Sequence, residues 1–444
     1  MRNVLVLHNA LACHIGTVAD HLDAFRLYSR NDVYICDAFS FSKRDVDLER
    51  FDVVVLHYAL VISSDRDIQA DLAAKLRAYR GYKVLFIQDE YRWVDRTVAA
   101  MADLGIDVVY TVINEEAVDQ VYQHPQIAHV RRKVTLTGFV PEELTGRTVP
   151  DYQARPIDVG YRARRVPAWL GRFAQEKWLI GQRFKEDGKS YGLKCDIEHR
   201  ENQRLYGEKW ITFVSNCKAM LGTESGASFI DFSGTVQPQV EAFEHKYPHA
   251  SFEEISGRFL DGDGQTVIHV ISPRCFEAAA LRTLMILYPG SYSGALEPWR
   301  HYVPLARDHS NMDEVVATLK DPDKASAIID NAYREVALNK RWSFRAMVEE
   351  FDRDIEEHAG PPRRDGPSGA KGAAGAAPAV YGPQLREIER KVDRYFRYRR
   401  RNVLMAKRAA YDAVHWLIKN AVPSKYQELV IGRIRSIVRR ASLS

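Results

Sequence analysis

The feature that most constrains this chain is a set of short apolar runs that recur through its first third without polar alternation. Residues 4–7, 33–36, 53–56, 84–87, 108–111 and 134–136 are such runs, several of them almost wholly Val, Ile and Leu. A strand with one wet face alternates apolar and polar residues, whereas a strand covered on both faces reads as a continuous run. Amphipathic segments lie between the runs, such as 17–28, which Thr17 is placed to cap, and 67–79. The pattern predicts a doubly wound α/β domain with a parallel sheet over residues 1–150.

The alternation resumes after a polar passage at 145–156 that reads as a linker. The expected elements are a strand at 157–162, helices at 171–183 and 210–216, a stretch at 219–222 leading into the polar run Thr223 to Ser228, and a strand-like segment at 229–232. Residues 235–265 have weak periodicity and read as an excursion. The stretch SPRCFEAAALRTLMILYPGSYSG (272–294) then supplies a helix bearing Glu277, a strand, and a Gly-Ser-rich loop expected to act as a lid. Helices follow at 312–319, 324–338 and 343–358. The expected fold is α/β, with two Rossmann-like domains (1–150 and 157–340) facing a cleft. A closing helix (341–360), a Pro/Gly/Ala-rich linker (361–383) and a helical tail (384–444) complete the chain.

Charge separates the tail from the body. The tail holds 16 Lys and Arg against 5 Asp and Glu, leaving 47 against 54 in residues 1–383. Basic amphipathic helices with aromatic boundaries suit an anionic membrane surface. Packing of the tail on itself or on a second subunit is the competing expectation. Nucleic acid is disfavoured, because the body is acidic and carries no recognition module. No apolar run approaches the roughly 20 residues of a spanning helix, so a cytoplasmic protein, peripheral on the inner membrane face, is expected. Cys13, Cys36, Cys195, Cys217 and Cys275 are scattered without metal-site spacing, so neither a disulfide framework nor a metal site is expected. Asp261-Gly262-Asp263-Gly264 lacks the ligand spacing of a calcium loop and reads as a solvated turn.

Ligands of open α/β sheets bind beyond the carboxyl ends of the strands. In the first half those ends carry His8, His57, and the run Gln88-Asp89-Glu90. His57, Asp89 and Glu90 are the candidates there for a proton-accepting group. In the second half, Gly160-Tyr161-Arg162-Ala163-Arg164-Arg165 ends a strand, and GRFAQEKW (171–178) opens a helix carrying Lys177. Cations and free amides at a helix N-terminus stabilise a diphosphate and its growing charge as a leaving group.

GRFAQEKW resembles the GR-(apolar)-x-x-E-K turn of retaining nucleotide-sugar glycosyltransferases with the two-domain GT-B fold. TESGAS with FIDF, and CFEAAALRTLMIL, resemble the two arms of that family's E-x7-E signature; the run through YSG to HYVPL is similar to bacterial surface-polysaccharide members. The resemblance spans about residues 1–358. It implies that Glu277 binds the ribose hydroxyls, that Glu224 contacts the transferred sugar with Ser225, Gly226 and Ser228 beside it, and that Gly160, Arg162, Arg164 and Lys177 surround the diphosphate, with Tyr292 and Ser293 over the donor. It further implies metal-independent transfer, with no cofactor beyond a nucleoside-diphosphate sugar, to a saccharide or lipid-linked acceptor in surface glycan synthesis. The sequence departs from the signature in two places. Glu224 and Glu277 are far more than seven residues apart, and the position eight before Glu277, where a strict E-x7-E would place its first glutamate, is His269; Arg282 replaces a glycine. A nucleotide-sugar epimerase, a phosphorylase and a catalytically silent scaffold remain as alternative readings.

Overall fold

A computed structural model describes residues 1–13, 16–42 and 47–362. The chain divides into two units, Met1–Leu385 and Arg386–Ser444. The expectations for the tail and for most of the linker lie outside the described residues.

The first lobe is built on six parallel strands: β1 (Asn3–His8), β2 (Asp32–Asp37), β3 (Val53–Leu56), β4 (Tyr82–Phe86), β5 (Val108–Thr111) and β6 (Arg131–Val134), in the order β2-β1-β3-β4-β5-β6. All four residues of β3 are fully buried, as its continuous apolar run requires. Residues of alternate parity face opposite helical layers. On one face Val4, Val6, Val55, Val84 and Phe86 pack with Phe25 of the helix Gly16–Tyr28. They also meet Phe344, Met347, Val348 and Phe351 of the last described helix, Phe344–His358, which returns from the far end of the chain to close this core. Polar contacts fix its rotation: the buried Asp354 carboxylate binds Arg131 at 2.9 Å and Lys133 at 3.1 Å, and Asp352 accepts from Ser29 Oγ at 2.8 Å.

The second lobe follows with β7 (Ile157–Arg162), β8 (Cys195–Glu198), β9 (Cys217–Gly222), β10 (Ser225–Ala227), β11 (Ile268–Val270), β12 (Leu284–Leu287) and β13 (Val303–Pro304). Five of them form a parallel sheet in the order β13-β12-β9-β7-β8, while β10 and β11 make a separate antiparallel pair. Two Rossmann-like parallel sheets are therefore present, as expected.

Three local expectations are corrected. Residues 229–232 form no strand of either sheet. They cross to the first lobe, where Asp231 N–H donates to Tyr91 O (2.9 Å), Trp93 N–H to Asp231 O (2.8 Å) and Asp95 N–H to Phe232 O (3.1 Å). The Asp231 carboxylate, bound by the amides of Gly234 and Gln237, turns the chain into the next helix. The 235–265 excursion contains two helices, Val236–Lys246 and Phe252–Phe259, the second opened by a Ser251/Glu254 capping box. Val240, Ile255 and Leu260 bury a small core against Trp169 and Leu170. Finally, the sixth strand lies at Arg131–Val134 instead of the apolar run 134–136.

Candidate active site between the lobes

The helix Pro273–Ala280 begins with Pro at its first turn, where the missing N–H costs nothing. Its Glu277 Oε2 accepts from Trp210 Nε1 at 2.7 Å, and no described residue hydrogen-bonds the other oxygen. Burial raises the Glu277 carboxyl, opposed by the Trp210 bond and the Arg274 charge. The Arg274 guanidinium lies 4.9 Å over the Trp210 ring and donates to the carbonyl of Arg162. Nearby, Lys177 is pushed down to about 8, first by burial and then by Arg274, with Arg164 acting the same way and Asp89 of the first lobe opposing. No described carboxylate pairs with its ammonium. Lys177, Arg164 and Arg274 thus act on one another as like charges, with Asp89 opposing, and Arg274 also acts on Glu277.

Other candidates are committed elsewhere. Arg162 is buried; it binds the Asp196 carboxylate at 2.8 Å and two carbonyls, with its guanidinium 4.2 Å over the Phe213 ring. It is therefore corrected from a diphosphate ligand to a tie between β7 and β8. Gly160 is a packing position, since an added Cβ would sit 2.3 Å from Cys217 Sγ. The N-terminus of the helix Arg172–Ser190, expected to offer free amides to phosphate, is already capped. Asp263 Oδ2 accepts from Arg172 N–H at 3.0 Å, Ser228 Oγ accepts from Phe173 N–H at 3.0 Å, and the Ser228 hydroxyl donates to Asp263 at 2.6 Å. The Asp261–Gly264 turn supplies that cap instead of standing free in solvent.

In the first lobe, His57 is fully buried. Its Nε2 lies 3.1 Å from His21 Nδ1, and its Nδ1 accepts from Ala59 N–H. Burial, reinforced by His21 and His8, holds it neutral, so it is corrected from a candidate base to a core histidine. Glu90 is buried under three donors: Thr111 Oγ1 (2.6 Å), Val112 N–H (3.0 Å) and the Tyr122 hydroxyl. Burial still pushes it up to about 7. It ties the segment after β4 to the end of β5, with both carboxylate oxygens engaged. Asp89 alone of the three is exposed; at φ 59° it occupies the left-handed region, which a non-glycine residue adopts at a cost. It accepts from the Tyr91 hydroxyl. Beside it a cavity of about 300 Å³ is lined by Tyr58, Ile62, Ile87, Trp93 and Val94.

Glu224, between β9 and β10, accepts from Tyr292 N–H (2.7 Å) and Ser291 Oγ (3.0 Å), and lies 3.3 Å from His269 Nδ1. Burial alone would raise its carboxyl; these donors, led by His269, outweigh that and hold it below the usual range. Gly226 (φ 140°) pairs with His269, where a Cβ would lie 1.8 Å from the Ile268 oxygen, and Ser225 pairs with Val270. The 290–294 loop is no free lid. Tyr292 is fully buried with its hydroxyl on Tyr288 O (2.6 Å), and Ser293 Oγ accepts from Ile271 N–H. A second cavity, about 560 Å³, opens between the lobes, with His269, Ser291 and Ser293 on one side and Asn114, Glu116 and Met347 on the other. Asn114 Oδ1 accepts from His269 N–H at 3.1 Å across it.

Sequence reasoning overlooked Arg274 and Trp210, and treated His269 only as a departure from a motif. Arg274 stands one turn before Glu277 in the same helix, a spacing that signals a shared face.

No protein-family model and no curated protein matches the chain. Among solved structures, it is similar to an alpha-glucosyltransferase in complex with UDP-glucose and DNA containing an abasic site (9% identity, 80% of this chain and 98% of that one, TM-score 0.46). It is likewise similar to Anabaena Alr3699/HepE in complex with UDP and glucose (11%, 80% and 100%, TM-score 0.46) and to TarM (10%, 67% and 53%, TM-score 0.40). At these scores the matches say nothing about substrate.

Proposed function

We propose that this protein transfers a sugar from a nucleoside diphosphate to an acceptor held between its lobes. The carrying observation is the group of like charges Lys177, Arg164 and Arg274, of which Arg274 also acts on the half-satisfied carboxylate of Glu277. Unpaired cations in a partly desolvated site favour a diphosphate and become more favourable as it leaves with an added negative charge. The unbonded Glu277 oxygen suits a ribose hydroxyl, because a carboxylate accepts hydroxyl protons side by side. The apolar first-lobe cavity beside Asp89 accommodates the less polar part of a saccharide or lipid-linked acceptor, and the resemblance extends this to surface glycan assembly.

Calorimetry against a panel of UDP-, GDP- and dTDP-hexoses tests the reading. One donor is expected to bind, and Glu277→Ala to weaken it at least about tenfold, the loss of one charge-assisted hydrogen bond. Binding unchanged in Glu277→Ala would remove the donor-site assignment.

A further inference from the structure

His269 occupies a geometry that the donor site does not explain. Its Nδ1 lies 3.3 Å from Glu224 Oε1 and 3.1 Å from Ser291 Oγ, while the Ser291 hydroxyl donates to the same carboxylate at 3.0 Å. A nitrogen facing two acceptor oxygens carries the proton, so the neutral ring presents its lone pair at Nε2. No described residue hydrogen-bonds Nε2, and the ring lines the interlobe cavity of about 560 Å³. Glu224 is itself held by the Tyr292 amide, so the ring's orientation is set from behind. A carboxylate behind an imidazole with the opposite nitrogen free is the arrangement of a proton acceptor. Arg307 binds Glu176, the neighbour of Lys177, at 2.7 Å and lies within electrostatic reach of Glu224.

We propose that His269, oriented by Glu224 and Ser291, accepts the proton of the attacking hydroxyl; this rests on the sugar-transfer reading. The acceptor oxygen bonds to the anomeric carbon as its O–H proton passes to Nε2. The bond from that carbon to the diphosphate oxygen breaks, and its electron pair leaves with the diphosphate. Glu224 and Ser291 are positioning residues. The charges around the ring are Glu224 behind it, Glu116 on the facing helix, Glu115, Glu350, Arg341 and Arg353 about the cavity, and Arg307 beyond Glu224. Glu224 raises the His269 proton affinity against the opposing effect of burial.

The test uses the full chain, the tightest-binding donor of the hexose panel, and water as acceptor. His269→Ala is expected to keep donor affinity within about threefold while hydrolysis falls about 10²–10⁴-fold, with added imidazole restoring part of it. In Glu224→Gln the acid limb of the pH–rate profile is expected to move to lower pH, because the base loses its carboxylate; a purely structural glutamate would leave that limb in place. Turnover of His269→Ala within about threefold of wild type, or an unmoved limb in Glu224→Gln, would overturn the proposal while leaving the donor site standing. A wild-type protein that binds none of the donors refutes the sugar-transfer reading and this proposal with it.

Discussion

Replacing Lys177 by Met should stabilise the fold while abolishing donor binding. The Lys177 ammonium is brought from 10.5 to about 8 by burial and neighbouring cations. That difference corresponds to about 3 kcal/mol disfavouring the charged form, an upper bound because solvent still reaches the side chain. The unfolded state binds more protons than the folded state between these values, so the penalty is complete below pH 8 and fades as pH rises towards 10.5. Met preserves the volume of the stem and removes the charge. Thermal and urea unfolding at pH 7 should show Lys177→Met more stable by up to about 3 kcal/mol, with the gap closing above pH 8. Calorimetry should show loss of the nucleotide sugar, and wild-type binding near pH 8 should take up protons as the diphosphate restores the charged form. A Lys177→Met protein that is less stable than wild type at pH 7 would refute the argument that this cation is held at a cost.

Gly171 has φ 83°, and a Cβ there would lie 2.3 Å from Asp263 Oδ1, so Gly171→Ala should cost about 2–4 kcal/mol from backbone strain and a lost cap, read as a lower urea midpoint. Phe351→Ala, in the helix that closes the first-lobe core, should cost about 3–5 kcal/mol in the same assay. His8, pushed down to about 4, and His21, to about 3, are neutral in the fold; unfolding takes up protons below pH 6.5, so stability should fall with acid from there, and His21→Asn should flatten that decline. Truncation at Pro361 should abolish co-sedimentation with anionic liposomes, and equal pelleting of both forms would exclude the tail as a membrane anchor.

The central strands were legible because burial on both faces leaves an unmistakable run, as at Val53–Leu56. The sixth was displaced because an edge strand tolerates Arg131, Arg132 and Lys133, so apolar content points past it. The 229–232 segment carries a strand-like composition, yet its hydrogen bonds go to another lobe, which local pattern cannot report. At the site, polar residues at strand ends were visible, but their roles depend on distant partners. His57 and Asp89 look alike in sequence; one faces His21 in the core and the other faces the cleft. The closed N-terminus of the helix Arg172–Ser190 is set by Asp263, 91 residues further along from Arg172.

The three backbone bonds joining Tyr91–Asp95 to Asp231–Phe232 bear on how ligands exchange. A covalent connection alone would let the lobes swing apart freely. Here a second, hydrogen-bonded clasp joins the same two bodies, while the helix Phe344–His358 returns from the second lobe to the core of the first. Wide opening then demands that the clasp melt, so loading and release are expected to follow local unfolding of residues 229–234, and slow amide exchange there would time the cycle.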